Sequence, residues 1–179
     1  MFLKKYLIFS KIIIIVFHSS TFTFADDDIP FNNIILHSSP KEILPLNFKD
    51  INENDVSLDT FRGKLIILNY WTTWCEPCKK EMYSLNKLSK NKRFEDIKIL
   101  PINMEKINKK KVKEFYKKFN IDNLQMYFDP ELNAVKIFGL RGVPTTILVN
   151  TKGLEIARIL GKIDFDKKIF LNWLENIKK

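Results

Sequence analysis

The chain holds two cysteines, Cys75 and Cys78, separated by two residues. An apolar, β-prone run at 65–71 leads into them, and a helical pattern with Met82 and Leu85 follows. The pair is therefore predicted at the junction where a buried strand ends and a helix begins. The first turn of a helix carries unpaired N–H groups and the positive end of the helix dipole, which lowers a cysteine pKa from about 8.5 to about 3.5–7.5. This placement favours a reactive Cys75 thiolate, with Cys78 near enough to close a small disulfide ring.

Other uses of a cysteine pair fit the sequence less well. A structural zinc site needs four ligands, and the chain adds only His18 and His37 to its two cysteines. A haem attachment site needs a histidine after the second cysteine, where this chain has Lys79. Inert core cysteines are the remaining alternative to a redox pair. We therefore expect neither a bound metal nor a cofactor.

The 45% hydrophobic content of the chain is enough for one domain with a core.

The formal net charge of +9 raises the question whether the protein binds an anionic partner. Lysines occur in every segment, with one cluster at 109–111 that opens an amphipathic helix. Such a cluster is more often a solvated face than a binding site. We expect a monomer with no nucleic-acid partner and weak attraction to an anionic membrane surface.

The N-terminal residues 1–25 are predicted to be an export signal. Lys4 and Lys5 precede an apolar centre at 12–17, and cleavage after Ala25 is favoured. An uncleaved membrane anchor is the alternative, although a span needs about 20 apolar residues. The pair is therefore expected to work in the periplasm or at the outer face of the inner membrane, where disulfides persist.

The remaining chain divides into a weakly patterned segment, 26–43, and a patterned one, 44–179. We expect the first to be a flexible lead-in and the second a single α/β domain. A β-hairpin with its turn at 52–55 is predicted before the central strand. The elements predicted after the cysteines are a strand at 97–103, a helix at 108–119 and a short strand at 124–128. A helix after Asp129-Pro130 is predicted to bear Leu132, Val135 and Phe138 on its inner side. A hairpin of 146–149 and 154–160 follows, and then a last helix with Ile169, Trp173, Leu174 and Ile177 inward.

The segment WTTWCEPCKKEM resembles the active-site segment of the thioredoxin superfamily, and more closely that of TlpA/ResA-like thiol:disulfide oxidoreductases. A second segment, RGVPTT, resembles the cis-proline loop of the superfamily. The resemblance implies a thioredoxin fold with a central mixed β-sheet flanked by helices, an N-terminal β-hairpin, and a βα insertion between the CxxC helix and the cis-Pro loop. It also implies a redox disulfide Cys75–Cys78 and substrate contacts at Trp74, Glu76, Pro77, Val143 and Pro144.

At three positions the sequence can be compared with the residues that these families usually have. Asn69 stands where thioredoxins have a buried Asp, which agrees with TlpA-like proteins but removes the usual proton acceptor. Tyr83 replaces a proline that kinks the helix in relatives, so a straighter helix is expected. Glu105 follows the strand at 97–103, where ResA-like proteins have an acid that relays protons. Glu105 is therefore a candidate relay, with a solvated loop acid as the alternative.

The predicted function is a protein-disulfide reductase in which Cys75 is the nucleophile and Cys78 the resolving thiol. The resemblance implies apocytochrome c or copper-delivery proteins as clients, and a membrane thiol-electron donor that restores the dithiol. A disulfide-donating oxidant is the first alternative. A client-binding or copper-binding module without turnover is the second.

Overall fold

The computed structural model describes residues 31–178. Eight strands and four helices follow one another in the order β1 Ile34–Lys41, β2 Asn47–Asp50, β3 Asp55–Ser57, β4 Ile66–Trp71, α1 Glu76–Ser89, β5 Lys98–Asn103, α2 Lys109–Lys118, β6 Tyr127–Phe128, α3 Asn133–Phe138, β7 Thr145–Val149, β8 Glu155–Leu160 and α4 Lys168–Lys178. The predicted hairpin, β2–β3, is confirmed. Two βα units, β5–α2 and β6–α3, lie between α1 and the Pro144 loop.

The strands form one mixed sheet in the order β1-β8-β7-β4-β5-β6-β2-β3. The strand that leads to the cysteines, β4, is central: it pairs parallel with β5 and antiparallel with β7. Helices cover both faces, so every residue of β4 is buried. A continuous apolar run is what a strand covered on both faces requires. This explains why the sequence of β4 shows no alternation of polar and apolar residues.

Alternation along β4 divides the core into two halves. Ile67 and Trp71 face the half that contains the inner sides of α1, α2 and α4. Ile66, Leu68 and Tyr70 face the other half, which contains α3. Asn69 shares the period of Ile67 and Trp71, so its side chain belongs on the α1 side of the sheet. This orientation brings a buried polar group towards the helix that carries Cys78.

The prediction of a flexible lead-in over 26–43 is wrong for residues 34–41, which form β1. This strand pairs antiparallel with β8, with Ile34 opposite Ile159. Two side chains hold it: Ile34 enters the core, and His37 Nε2 lies 2.7 Å from Glu155 Oε1. Both partners are more than 100 residues away, and local patterning cannot detect them. The domain thus begins before residue 44; residues 26–30 lie outside the described part, as does the predicted signal at 1–25.

The predicted helices are present, with two side chains wrongly assigned to the core. Leu132 is 41% exposed and Ile169 is 55% exposed. Leu132 precedes α3 in a left-handed conformation, because Asp129 caps α3 at the N–H groups of Asn133 and Ala134. The helix therefore begins later than predicted. Among residues 31–178, no helix combines the length and hydrophobicity that crossing a membrane requires.

Candidate active site

The cysteines lie at the predicted junction and are joined by a disulfide with an S–S distance of 2.05 Å. Cys75 is the N-cap of α1, and its Sγ accepts a hydrogen bond from the Cys78 backbone N–H at 3.3 Å. Only 4% of Cys75 and none of Cys78 is exposed to solvent. A thiolate on Cys75 would retain the N–H bond and the positive end of the helix dipole. The geometry therefore favours Cys75 as the nucleophile and Cys78 as the shielded second thiol.

The Pro144 loop lies against the pair. The Val143–Pro144 peptide bond is cis, and the carbonyl oxygen of Val143 lies 3.7 Å from Cys75 Sγ. On the other side of this loop is a groove of about 640 Å³, lined by Phe138, Val143, Leu160 and other residues. The structure thus brings RGVPTT and the cysteine motif together, as the resemblance implied.

The remaining motif residues surround the entrance to the pair. Trp74 is 68% exposed, and Glu76 is exposed in the first turn of α1, followed by Pro77. The hydrogen bond from Lys79 is the main cause of a lowered pKa at Glu76, and the charges of Lys80 and Lys118 act in the same direction. Tyr83 lies within an unbroken α1, as expected for a helix without the proline.

Glu105 binds the loop that precedes the cysteines. Its Oε2 accepts from the Thr73 backbone N–H at 2.6 Å and its Oε1 accepts from the Thr73 hydroxyl at 3.0 Å. Lys111 Nζ donates to Oε1 at 2.6 Å. Partial burial alone would raise the pKa of Glu105, but the hydrogen bonds from Lys111, Thr73 and Asn103 outweigh it and the pKa is lowered. These contacts favour the ionised carboxylate, which holds the loop before Cys75 in place. A proton-relay role for Glu105 stays a prediction.

A second acid, Glu81, lies one helical turn after Cys78 with no exposed surface. Its Oε1 accepts from the Ile163 backbone N–H at 3.4 Å. Burial raises the pKa of Glu81 to about 8, although the Asn69 amide, the Ile163 N–H and the charge of Lys162 oppose the shift. Glu81 is therefore a group that can gain or lose a proton near neutral pH.

Glu81 and Asn69 leave complementary atoms without partners. Glu81 Oε2 and Asn69 Oδ1 are both buried and accept no hydrogen bond from any described residue. The Asn69 amide nitrogen donates one of its two N–H groups to Thr146 Oγ1 at 3.0 Å, which leaves the other N–H for Glu81. A proton on Glu81 would give the carboxyl a donor for an oxygen such as Asn69 Oδ1. Protonation of Glu81 can therefore satisfy both groups, which agrees with its raised pKa.

Sequence reasoning missed Glu81 although a signal was present. Cys78, Glu81, Met82 and Leu85 share one face of α1 at spacings of three and four residues. An acid within an apolar stripe is uncommon unless it has a partner or a function. In the sequence, Asn69 indicates the loss of the proton acceptor that thioredoxins have at this position. The structure instead supplies a buried acid from the facing helix.

Residues 41–155 match the AhpC/TSA family. Thiol-disulfide oxidoreductase ResA of Bacillus subtilis is 29% identical over 113 residues, which cover 63% of this chain and 62% of that protein. The chain thus spans less than two thirds of the length of this curated relative. Other proteins named ResA match over a similar range.

Two solved structures have a similar fold. StoA of Bacillus subtilis gives a TM-score of 0.59 at 26% identity, over 75% of this chain and 98% of that one. The thioredoxin domain of a thiol-disulfide oxidoreductase from Bacteroides vulgatus gives a TM-score of 0.63 at 19% identity, over 80% of this chain and 100% of that one. The expected thioredoxin fold is confirmed.

Proposed function

Because this chain belongs to the AhpC/TSA family, we propose that it is a thiol:disulfide oxidoreductase that exchanges electrons with protein disulfides through Cys75 and Cys78. The observation that carries the proposal is the position of Cys75. It caps α1, receives the Cys78 N–H, and lies 3.7 Å from the backbone oxygen of Val143. A nucleophilic sulfur is thus combined with a backbone that can hold an extended substrate.

The first step is attack by the Cys75 thiolate on one sulfur of a substrate disulfide. A bond forms between Cys75 and that sulfur, the substrate S–S bond breaks, and the second substrate sulfur leaves as a thiolate that takes a proton. The cap N–H and the helix dipole stabilise the attacking thiolate. Val143 would align the substrate backbone by β-type hydrogen bonds, and the exposed indole of Trp74 would be covered by the substrate.

The second step is attack by Cys78 on Cys75. The Cys75–Cys78 disulfide forms, the mixed disulfide breaks, and the dithiol has passed two electrons to the substrate. Cys78 must first lose its proton in a buried site, where water cannot accept it. Glu81, one turn later on α1 and with a pKa of about 8, is the group we assign as the acceptor. Asn69 would then orient the carboxyl that receives the proton.

The direction we propose is reduction of the substrate, with a membrane thiol-electron donor restoring the dithiol. Apocytochrome c and copper-delivery proteins are the client classes that the TlpA/ResA resemblance suggests. An export signal at 1–25 would place the reaction outside the cytoplasm. What supports this direction is the resemblance to TlpA/ResA-like proteins, in particular the Glu-Pro pair within the motif together with Asn69. Disulfide donation uses the same atoms in reverse.

The reduction potential of the Cys75–Cys78 pair tests the direction. A value at or below about −230 mV, towards the value of about −270 mV for thioredoxin, is expected for a reductant. A value near about −120 mV would replace reduction with disulfide donation. The activity itself is tested with Cys75→Ser and Cys78→Ser. The first should abolish reduction of a protein disulfide, and the second should accumulate a mixed disulfide; unchanged turnover in both would contradict the proposal.

A further inference from the structure

The positive charge of the chain is concentrated near one helix. The chain has 30 Lys and Arg against 21 Asp and Glu; three of the lysines lie in residues 1–25, so residues 26–179 carry a net +6. The segment 105–119 contains seven lysines and two glutamates and contributes +5 of this excess. The rest of the domain is therefore close to neutral. Lysines occur in every segment, but acidic residues offset their charge everywhere except around α2.

Most of the excess charge lies on the outer side of α2, where exposed lysines surround the single exposed acid Glu114. Val112, Phe115 and Tyr116 are buried and hold the helix against the core. The opposite side carries four exposed lysines that form no ion pair with any described residue. We call this set the lysine face; it consists of Lys110, Lys113, Lys117 and Lys118.

Contacts fix α2 beside the redox pair at more than one point. Near its first turn, Lys111 Nζ binds Glu105, which holds Thr73, two residues before Cys75. In its middle, the ring of Phe115 packs on Trp71 with centroids 4.7 Å apart. Near its last turn, Lys118 is close enough to Glu76 for its charge to lower the pKa of that carboxyl, although the hydrogen bond from Lys79 is the larger cause. The lysine face therefore adjoins the entrance to Cys75.

We propose that the lysine face is a docking surface for acidic protein substrates of the Cys75–Cys78 pair. The inference rests on the proposed function and specifies the substrate class of the same site. Any protein whose disulfide reaches Cys75 must cover Trp74 and Glu76, and its surface then extends over the adjoining part of α2. Carboxylates on that surface would pair with the lysines and speed the encounter.

A protein fits this surface better than a lipid bilayer does. Helices that lie in a membrane interface insert an apolar face between the lipids. The apolar face of α2 is already buried in the core, and none of the exposed large hydrophobic side chains of residues 31–178 lies on α2. The lysine face thus offers charge without insertion, as expected for contact with a partner that must also leave after each turnover.

The test uses three cystine peptides that share one sequence and one intramolecular disulfide but end in four Glu, four Gln or four Lys. The second-order rate constant for their reduction by the reduced protein is measured at low and high salt. We expect the Glu peptide to react about tenfold faster than the Gln peptide at low salt. The preference should shrink towards unity at about 1 M salt, where the screening length is about 3 Å.

The variant Lys110→Gln/Lys113→Gln/Lys117→Gln/Lys118→Gln should lose the preference and still reduce the Gln peptide at the unaltered rate. The matched control is Lys92→Gln/Lys136→Gln/Lys152→Gln/Lys168→Gln, which removes the same charge from exposed positions on other elements and should keep the preference.

Equal rates for the Glu and Gln peptides, or a preference that survives in the lysine-face variant, would overturn this inference and leave the proposed function intact. Binding to vesicles of anionic lipid through the same lysines, without a peptide preference, would overturn it in favour of a membrane. Failure to reduce any of the three peptides would count against the proposed function itself.

Discussion

Glu105 binds Thr73 through both of its carboxylate oxygens, one on the backbone N–H at 2.6 Å and one on the hydroxyl at 3.0 Å. The acid follows β5 and the threonine lies in the loop that ends at Cys75. A residue from a neighbouring strand thus fixes the approach to the nucleophile without belonging to the cysteine motif. Lys111 completes the arrangement from α2, so three elements meet at one carboxylate.

Glu105→Gln should loosen this loop. Hydrogen bonds to a charged group contribute about 1.5–3 kcal/mol, and because Gln keeps some of them we expect a loss of about 1–2 kcal/mol in the free energy of unfolding. Because the pKa of Glu105 is lowered in the folded protein, its stabilisation is present above the unfolded pKa and is lost as pH falls through the folded one. Urea unfolding against pH measures both effects. The control is Glu114→Gln, at an exposed position on α2. If the two variants lost the same free energy of unfolding with the same pH dependence, Glu105 would not be what holds the loop.

Glu81→Gln should alter the pH dependence of stability in the opposite sense. Its pKa is raised to about 8, so between the unfolded value of about 4.5 and this value the folded protein holds one more proton than the unfolded one. Stability therefore falls as pH rises through that window, by roughly 5 kcal/mol at most for a shift of this size. Because Gln cannot ionise, the free energy of unfolding of the variant should not decrease over this pH range.

The measurement for Glu81 is the free energy of unfolding at about pH 4 and about pH 9, on either side of this titration window. Glu131→Gln, at an exposed position, should show the same pH dependence of stability as the wild-type protein.

Glu81→Gln should also slow the release of substrate from the mixed disulfide, because Cys78 loses its proton acceptor. A Glu81→Gln protein with wild-type release kinetics would remove Glu81 from the mechanism.

Asn69→Asp would place a second carboxyl beside Glu81. Two close carboxyls cannot both ionise without strong repulsion, so one of them keeps a proton to higher pH. We expect Asn69→Asp to be destabilised by roughly 2–4 kcal/mol above neutral pH and much less in acid, where both groups are neutral. The double variant Asn69→Asp/Glu81→Gln should recover most of the loss. Additive effects of the two changes would mean that the side chains do not interact.

Glu155 provides a test of how β1 is held. It is 2% exposed and binds both His37 and Arg158. Burial alone would raise the pKa of Glu155, but hydrogen bonds from Arg158 and His37 outweigh it and the pKa is lowered. Glu155→Gln removes the charge and leaves Arg158 without its partner, so a loss of about 3–5 kcal/mol is expected.

Hydrogen exchange of the β1 amides should also quicken in Glu155→Gln, because His37 loses its partner on β8. Glu42→Gln, an exposed acid just after β1, should change neither quantity. The stabilisation by Glu155 is present above its unfolded pKa and is lost as pH falls through its folded pKa. Protection of β1 that did not change in Glu155→Gln would mean that Ile34 and backbone pairing alone hold the strand.

Local patterning was enough for the central part of this fold. The apolar run of β4 and the spacing of Met82 and Leu85 each have a nearby cause, so the strand and the helix could be predicted from the residues. The loop at 141–146 was predicted from its resemblance to the cis-proline loop of the superfamily. The strand β1 could not, because its stability comes from β8, more than 100 residues later. The same limit applies to Glu81, because the burial that raises its pKa is created by other elements packed against α1, and Asn69 and Ile163, which oppose the rise, also lie on other elements.

Both outer strands of the sheet are poor templates for a further strand. At one edge, β1 pairs regularly with β8 only from Ile34 to Leu36 before its register breaks, and Pro40 has no N–H to offer. At the other edge, β3 is three residues long and begins at the exposed Asp55. Long flat edges invite aggregation, whereas short, interrupted and charged ones resist it. The two edges described here should therefore keep neighbouring molecules from joining sheet to sheet.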